Sequence, residues 1–557
     1  MKRVMFGFLI LLLSVPGWIG AQSSMKAPEN WFNLDWKKDG VPGVSTERSY
    51  ETILKNKSAE PVIVAVIDGG VDPLHEDLND VMWINPGEIA DNGIDDDQNG
   101  YIDDIFGWNF IGNPNGESVG ADALEVTRLY AHYDKKYKNA NPPTLKGKER
   151  KEYDYYKKLE ETVTESLEKA KKNLDYYTEL KSTFIASEDK LKKHLKTDEL
   201  TLEQLQGIQT EDEEIINAIS VVSKLLENGL DASYFDNVLG YFEGQTKYYD
   251  PTFDPRSIVG DNYADSREWQ YGNNDVKGPE AFHGTHVAGI IGAERDNDLG
   301  IKGVSDQVFI MGVRVVPDGD ERDKDVANGI RYAVDNGASV INMSFGKSYK
   351  WDKKVVDDAV KYAEKHDVLL VHAAGNDGSN TDIADNFPTD SYERSGWFGK
   401  KRAKNWIEVG ALNWQEGDKL AAPFSNYGKD NVDLFAPGMA IHSTTPDNGY
   451  QDAQGTSMAS PVVAGVAALV RAYYPDLTAV QVKDILMKSV VPVNQQVMKP
   501  GTKEMVPFSQ LSVSGGVVNV YNALELAAKT KGKKSKNAKW RSASSQARVA
   551  KEKRDRV

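Results

Sequence analysis

The chain has 557 residues and no cysteine, which excludes disulfides, thiolate metal sites and cysteine nucleophiles. Hydrophobic residues make up 40% and charged residues 27%, an ordinary balance for a soluble globular protein that buries a large core. The formal net charge of −17 argues against a general nucleic-acid binder, because nucleic-acid backbones are themselves negatively charged.

The first 21 residues have the pattern of a secretory signal peptide. Lys2 and Arg3 precede an apolar run that ends in small residues near Ala21, after which cleavage is predicted. The alternative is a membrane anchor, but Pro16 interrupts the run and leaves it short for a membrane span. No later stretch of sequence has the length and apolar character of a span. The mature chain is therefore expected to be exported and to lack a transmembrane segment.

Buried-strand patterns alternate with helical patterns along most of the chain. The strand patterns are apolar, often β-branched runs at 61–72, 308–316, 339–345, 368–376 and 406–412. Helical patterns lie between several of them, as at 323–337 and 355–366. Together they predict an α/β fold, with a doubly wound, mostly parallel sheet and helices on both faces. In such a sheet, functional sites collect beyond the carboxyl ends of the strands.

Residues 113–254 lack the alternation of strand and helix patterns and predict an inserted α-helical hairpin or small bundle. Apolar side chains recur there at a heptad period, namely Tyr156, Leu159, Val163, Leu167, Ala170, Leu174, Tyr177, Leu180 and Phe184. A second helix is predicted over 211–228, with Thr210 as its cap and Glu213 completing a capping box. A third is predicted over 231–244. The insertion is interpreted as a structural arm, with a partner-binding or gating arm as the alternative.

These elements divide the chain into segments. An N-terminal segment (22–59) precedes the first α/β part (60–112), and the second part (255–528) precedes a tail (529–557). The tail holds twelve Lys or Arg and only two acidic residues, with little apolar content, so disorder is predicted for it. Its charge also makes it a candidate for attachment to an anionic envelope surface.

Four polar residues stand in positions where chemistry is expected. Asp68 ends the first buried strand, His283 opens "HGTHVAG", and Ser457 lies in "GTSMASP" at the start of a predicted helix. Each alone is a weak signal, since a serine there is most often a helix cap. Together they supply the nucleophile, base and orienting carboxylate of acyl transfer. Asn376, just after a buried strand, adds an amide that can donate to a developing oxyanion.

The stretches around these residues resemble the signature motifs of the subtilases, the subtilisin-like serine peptidases. The motifs are "VIDGGVD", "HGTHVAG", "AAGN" and "GTSMASPVVAG", in the family's order, with further matches at "VINMSFG", "FSNYG" and "VDLFAPG". The resemblance covers roughly 60–112 and 255–528 and implies a subtilisin-like fold. One departure is the interval of 215 residues between Asp68 and His283, into which the helical insertion falls. The insertion is therefore expected near the substrate face.

The resemblance implies a role for each motif residue. It makes Ser457 the nucleophile, His283 the general base and then acid, and Asp68 the residue that orients the imidazole. Asn376 and the backbone N–H of Ser457 would form the oxyanion hole. The strand that pairs with the substrate backbone would be Ser344, Phe345 and Gly346, so the expected substrate is an extended polypeptide.

Two neighbouring residues leave alternatives open. His286 lies one turn after His283, and two histidines this close could bind zinc. The familiar zinc helix, however, needs i,i+4 histidines with an adjacent glutamate, whereas these two are three residues apart with no glutamate between them. His286 is therefore interpreted as a packing residue. Asp377 follows the oxyanion asparagine and is either a pocket-rim acid that favours a basic side chain or a solvated loop residue.

A second site is predicted in "DNGIDDDQNGYIDD", residues 91–104. Asp95, Asp97, Asn99 and Gly100 match positions one, three, five and six of an EF-hand loop, but Phe106 stands where the bidentate glutamate is expected. The loop therefore predicts a truncated, structural calcium site with six candidate ligands, which are Asp95, Asp97, Asn99, Tyr101, Asp103 and Asp104. The alternative is an acidic turn without metal. No cofactor is expected for catalysis.

The sequence thus predicts a serine endopeptidase that acts on polypeptides and is secreted or held in the periplasm or cell envelope of a bacterium. The rival hypothesis is a catalytically latent subtilase scaffold that binds a partner through its helical insertion.

Overall fold

A single sheet organises the computed structural model, which describes residues 26–228, 230–393, 401–535, 537–538 and 540–554. The predicted signal peptide lies outside the described residues. The strands are β1 (Val62–Asp68), β2 (Gly107–Asn109), β3 (Val308–Arg314), β4 (Ala338–Met343), β5 (Leu369–Ala373), β6 (Trp406–Leu412), β7 (Leu434–Pro437), β8 (Ile441–Thr445), β9 (Gly449–Ala453), β10 (Val491–Pro492), β11 (Gln496–Met498), β12 (Met505–Pro507) and β13 (Gly516–Val517).

Among the described residues, nine strands pair in the order β10-β13-β7-β6-β5-β4-β1-β3-β2. All pairings are parallel except that between β10 and β13. β1 lies between β3 and β4, and its side chains alternate between two cores, because both faces of the sheet are covered. Val64 faces one core and Ile63 the other. The predicted mostly parallel α/β sheet is confirmed.

Helices cover both faces of this sheet. They are α1 (Trp36–Asp39), α2 (Thr46–Glu51), α3 (Glu125–Tyr137), α4 (Gly147–Leu195), α5 (Leu202–Gln206), α6 (Glu213–Leu226), α7 (Ala232–Tyr248), α8 (Phe282–Gly292), α9 (Asp323–Asp335), α10 (Lys353–Lys365), α11 (Thr456–Tyr473), α12 (Ala479–Lys488), α13 (Val520–Lys529) and α14 (Trp540–Arg554). α8 and α11 pack on one face, and α9 and α10 pack on the other. Within the described range, no helix combines the length and apolar character of a membrane span.

The insertion is a helical bundle built around α4, whose 49 residues correspond to about 70 Å of helix. Its first half packs on α3 through Leu129, Leu159 and Val163. Its second half packs on α6 and α7 through residues that include Phe184 and Phe235. Seven positions along α4 are buried. Three of the predicted heptad residues, Leu167, Leu174 and Leu180, are only partly covered, because partners touch successive halves of the helix from different sides.

Two details of the predicted insertion are wrong. The arm begins at α3 rather than at residue 113, because Val119 is buried in the sheet core and Ala121 bridges Asp318. The N–H of Leu124 donates to the carbonyl of Tyr248 at 3.1 Å and closes the base of the arm. The cap of α6 is Asp212 rather than Thr210, since the Asp212 carboxylate accepts the first free N–H groups of the helix.

The C-terminal tail also differs from the prediction of disorder. α13 ends at Lys529, and α14 then docks on the body with Trp540 and Ala547 buried. The Trp540 ring lies 4.4 Å from the guanidinium of Arg471, a buried cation–π contact. The apolar residues Trp540, Ala543 and Ala547 lie on one side of α14. The helix can therefore bury them against the body although the tail as a whole has few apolar residues.

Replacing Trp540 by alanine should lower the free energy of unfolding by about 3 kcal/mol, because a large buried ring is lost and a cavity forms beside Arg471. Calorimetry of the purified chain measures the change. The matched control is Trp351→Ala, where the ring is 38% exposed and the loss should be much smaller. Equal melting temperatures for both variants would show that α14 does not contribute to the core.

Candidate active site

The predicted catalytic residues come together at the carboxyl edge of the sheet. Asp68 is the last residue of β1, and Asn376 follows β5 by three residues. His283 stands in the first turn of α8, and Ser457 in the first turn of α11. Parallel strands bring their carboxyl ends to one edge, so residues distant in sequence share one cleft.

Asp68 holds the imidazole of His283. Its Oδ1 lies 2.8 Å from Nδ1 of the histidine and accepts the N–H of Gly69 at 2.7 Å. The close approach of α8 to the end of β1 requires glycine at 284, because a Cβ there would lie 2.2 Å from the carbonyl oxygen of Gly70. The insertion leaves the body between these two elements without separating them.

The carboxylate also sets the charge of the site. Asp68 is 2% exposed, and no described residue forms a hydrogen bond with its buried Oδ2. Burial opposes a charge on His283, but the neighbouring carboxylate and its hydrogen bond outweigh burial and raise the pKa of the imidazole above its ordinary value of 6.5. A cationic imidazole is therefore the form that this carboxylate stabilises.

Ser457 lies at the N-terminus of α11, half-buried, after Gly455 at a φ of 153°. Its hydroxyl donates to the carbonyl oxygen of Ser344 at 3.0 Å, and the Ser344 hydroxyl donates to the carbonyl of Ser457 at 2.9 Å. The side chain is thus turned toward the predicted substrate strand, and among the described hydrogen bonds none joins it to His283. To donate to His283, the hydroxyl has to leave the Ser344 carbonyl.

Asn376 is fixed by its carbonyl oxygen. That oxygen accepts the backbone N–H of Thr456 at 2.8 Å and the Thr456 hydroxyl at 3.0 Å. Within the described residues the amide nitrogen makes no hydrogen bond, so it is available to donate. Asn376 and Ser457 line one cavity of about 450 Å³, together with Ser344, Phe345 and Gly346. The structure therefore brings Ser457 and Asn376 into one cavity with the three predicted substrate-strand residues.

His286 belongs to the core. It is fully buried, and its Nε2 lies 3.1 Å from the carbonyl of Ile441 and 3.0 Å from that of Gln451. Burial is the main cause that lowers the pKa of this imidazole to about 4. A neutral histidine engaged with two carbonyl oxygens is a packing residue, as the sequence predicted.

The acidic loop places its predicted ligands differently from an EF-hand. Carboxylate oxygens of Asp95 and Asp97 come within 4.8 Å of each other and of one from Glu88, a residue outside the EF-hand spacing. Spacing rules gave no signal for Glu88, because it joins the cluster only through the fold of the loop. Glu88 accepts the N–H groups of Asp97 and Asp103 at 3.1 Å each.

The other four predicted ligands serve the loop and the core. The Asn99 amide donates to Asp97 and Asp104, and Asp103 accepts the N–H groups of residues 92 and 93. The Tyr101 ring packs in an aromatic cluster with Trp108, Phe110, Trp269 and Tyr332. The carboxyl of Asp104 accepts the Tyr332 hydroxyl at 2.5 Å, and burial raises its pKa to about 7. The described carboxylates thus gather Asp95 and Asp97 with Glu88, and ligation of a metal by the six predicted residues stays a prediction.

Comparison with known proteins finds similar serine proteases. The model of the Subtilase family matches residues 59–511. A thermophilic serine proteinase of Bacillus sp. strain AK1 is 41% identical over 223 residues, 40% of this chain and 49% of that protein. A cell wall-associated protease of Bacillus subtilis strain 168 is 37% identical over 251 residues, 45% of this chain and 25% of that protein. Subtilisin DY of Bacillus licheniformis is 38% identical over 205 residues, 37% of this chain and 68% of that protein.

The matched region has a parallel α/β sheet with a serine, a histidine and an aspartate at one edge, the arrangement of a serine-hydrolase class. The chain belongs to the subtilase family. It spans about half the length of the first of these relatives and a quarter of the second.

Proposed function

We propose that this chain is an exported serine endopeptidase that hydrolyses peptide bonds in polypeptides. The observation that carries the proposal is the Asp68–His283 hydrogen bond at the carboxyl edge of the sheet, where Ser457 and the amide of Asn376 also lie. Family membership supports the reaction class. The name of the cell wall-associated relative and the signal-peptide pattern of residues 1–21 support export. The basic residues of the tail are the candidate contact with an anionic envelope surface.

The proposed reaction begins when the Ser457 hydroxyl leaves the Ser344 carbonyl and donates to Nε2 of His283. The serine oxygen attacks the substrate carbonyl carbon as its proton passes to the imidazole, and Asp68 stabilises the imidazolium. The oxyanion that forms accepts the amide N–H of Asn376 and the backbone N–H of Ser457. His283 then gives the proton to the leaving amine. Water, activated by the same imidazole, hydrolyses the acyl-enzyme and restores the serine.

Casein digestion by the purified mature chain tests the proposal. The expected result is release of peptides, with inhibition by a serine-directed fluorophosphonate. A correctly folded chain that leaves casein and a panel of unstructured peptides intact, with or without calcium, would favour the binding-scaffold hypothesis instead.

The pH dependence of kcat/KM should follow the protonation of the His283 imidazole. The base must be neutral to accept the serine proton, and Asp68 raises the pKa of His283, so kcat/KM should rise with pH through a midpoint above 6.5. Initial rates on one peptide between about pH 5 and 9 give the profile. A midpoint at or below 6.5 would contradict the role assigned to the Asp68 carboxylate.

A structural calcium ion is the second part of the proposal. Glu88, Asp95 and Asp97 present three hard oxygen donors close together, a donor set that fits calcium. Like charges at this distance repel one another, and a divalent cation would offset the repulsion. The ion would hold the 91–104 loop against the body and take no part in the reaction, since the triad chemistry needs no metal.

Removing calcium with EDTA should lower the melting temperature by about 2 °C, because an ion at a hundred times its Kd contributes about 2.7 kcal/mol to stability. The variant Asp97→Asn should melt near the EDTA value and respond little to calcium. The matched control is Asp418→Asn, an exposed loop residue outside the cluster, which should keep the full response. A wild-type melting temperature that ignores both EDTA and added calcium would leave the loop as an acidic turn.

A further inference from the structure

The cleft beside Ser457 extends to the base of the helical insertion. The same cavity that Ser457 and Asn376 line is also lined by Leu124, Val126 and Tyr249 from the two ends of the insertion, and by Thr162 on α4. The insertion therefore forms one wall of the space in which a bound substrate would lie. A substrate side chain in this part of the cavity would contact residues of the insertion, in addition to residues of the α/β body.

Glu321 is the unusual polar residue of that cavity. The residue is 2% exposed, and its Oε1 is buried with no hydrogen-bond partner among the residues that the structure describes. Burial raises the pKa of its carboxyl to about 7. A buried carboxyl without a donor is costly to the fold, so its presence in a binding cavity calls for a ligand that supplies the donor.

The ammonium of Lys347, a cation close to the Glu321 carboxyl, already makes three other polar contacts. Lys347 follows the predicted substrate strand, lines the same cavity and is 4% exposed. Its ammonium donates to Glu125 Oε2 at 2.8 Å and to the backbone carbonyl of Glu321 at 2.7 Å, and it lies 2.7 Å from Asp323 Oδ1. An ammonium has three donors, so none is left for the side chain of Glu321.

Acids outnumber cations around this point. Arg322 pairs with Asp122, and Arg128 and Lys347 pair with Glu125. Asp320 also lines the cavity, and among the described hydrogen bonds its carboxylate accepts only the backbone N–H of Glu125. The charged groups of this cluster are Asp122, Glu125, Asp320, Glu321 and Asp323 against Arg128, Arg322 and Lys347. The local excess is therefore acidic, and the two acids without a cation, Asp320 and Glu321, are both lining residues.

We infer that this cavity is a subsite for a lysine or arginine side chain of the substrate, with Glu321 as its specificity residue. The aliphatic part of such a side chain would pack on Leu124 and Val126, and the rings of Tyr249 and Tyr349 offer faces to a cation. The cationic group would donate to the Glu321 carboxylate. This inference rests on the proposed function, because it concerns the substrate of the same cleft.

Binding to the inactive variant Ser457→Ala tests the subsite apart from catalysis. Fluorescence anisotropy would compare peptide series that are identical except for one position, which carries lysine, arginine or the uncharged norleucine. That position is moved in turn through the residues on the N-terminal side of the cleavage site. At one position the lysine and arginine peptides should bind about tenfold or more tightly than the norleucine peptide, since a hydrogen bond to a buried charge has this worth.

The double variant Ser457→Ala, Glu321→Gln should lose this preference and bind the three peptides within about threefold of one another. The matched control replaces Glu227, an exposed residue of the distal insertion, by glutamine and should keep the preference. Circular dichroism and melting curves establish that each variant is folded. If the glutamine variant does not fold, the comparison of the three peptides on the single variant Ser457→Ala, which keeps Glu321, gives the result.

Two results would overturn the inference: no position at which a basic side chain binds more tightly than norleucine, or a preference that persists in a folded Glu321→Gln protein. Failure of the proposed function is seen separately, as absence of fluorophosphonate labelling of the wild-type chain. The binding experiment gives its answer in either case, because it needs no turnover.

Discussion

Replacing Ser457 by alanine should reduce peptide hydrolysis by roughly 10⁶-fold, the scale on which loss of the triad serine acts in subtilisin itself. The effect is large because the variant has no oxygen to form the acyl-enzyme, and the neighbouring groups alone give only weak catalysis. Single-turnover rates on a fluorogenic peptide measure it. The fold should persist, since the hydroxyl contributes one hydrogen bond, to the Ser344 carbonyl.

The matched control for this variant is Ser460→Ala, the same change on the same helix one turn later. That hydroxyl is buried and donates to Asn342 Oδ1 at 2.8 Å. The control should lose about 1 kcal/mol of stability and retain most of the activity. If Ser457→Ala kept more than about a thousandth of the wild-type rate, the assigned nucleophile would be wrong.

The second large effect is expected for Asp68→Asn, which should lower kcat by about 10⁴-fold, the scale of this change in other Ser-His-Asp triads. An amide carries no charge to stabilise the imidazolium of His283. It can also donate to Nδ1 of the histidine and so favour the tautomer that cannot accept the serine proton. The remaining activity should titrate at a lower pH than in the wild type, because the carboxylate that raises the imidazole pKa is gone.

Asp72→Asn is the control for charge and burial in this variant. Asp72 is also buried and lies four residues further on, but its carboxylate faces Lys277 and the N–H of Asp447. It should cost stability and less than about tenfold in kcat. Similar losses of kcat in both variants would indicate general disturbance of the cleft rather than a specific role of Asp68.

The sheet and the positions of Asp68, His283 and Ser457 at its carboxyl edge could be predicted from the sequence because their signals are local. A β-branched run such as β1 predicts a strand without information about distant segments. Asp68, His283 and Ser457 each lie inside a long motif. Packing of His286 followed from the same argument, since the aspartate and serine motifs elsewhere in the chain require only one histidine of "HGTHVAG".

What the sequence could not provide depends on contacts between distant segments. Glu88 joins the acidic loop only through the path of the backbone, and the lone carboxyl of Glu321 becomes unusual only once Lys347 is seen to be occupied. Burial of Trp540 depends on a docking surface that includes Arg471. The base of the arm at Leu124 and Tyr248 is set by one backbone hydrogen bond that no periodicity predicts.

The most direct test of the central claim is labelling with a fluorophosphonate probe, followed by mass spectrometry of the digested protein. The mature wild-type chain should be labelled on Ser457 alone, and labelling should vanish in Ser457→Ala and fall strongly in Asp68→Asn. A folded wild-type chain that remains unlabelled, or one labelled equally after Ser457→Ala, would contradict the proposed peptidase mechanism.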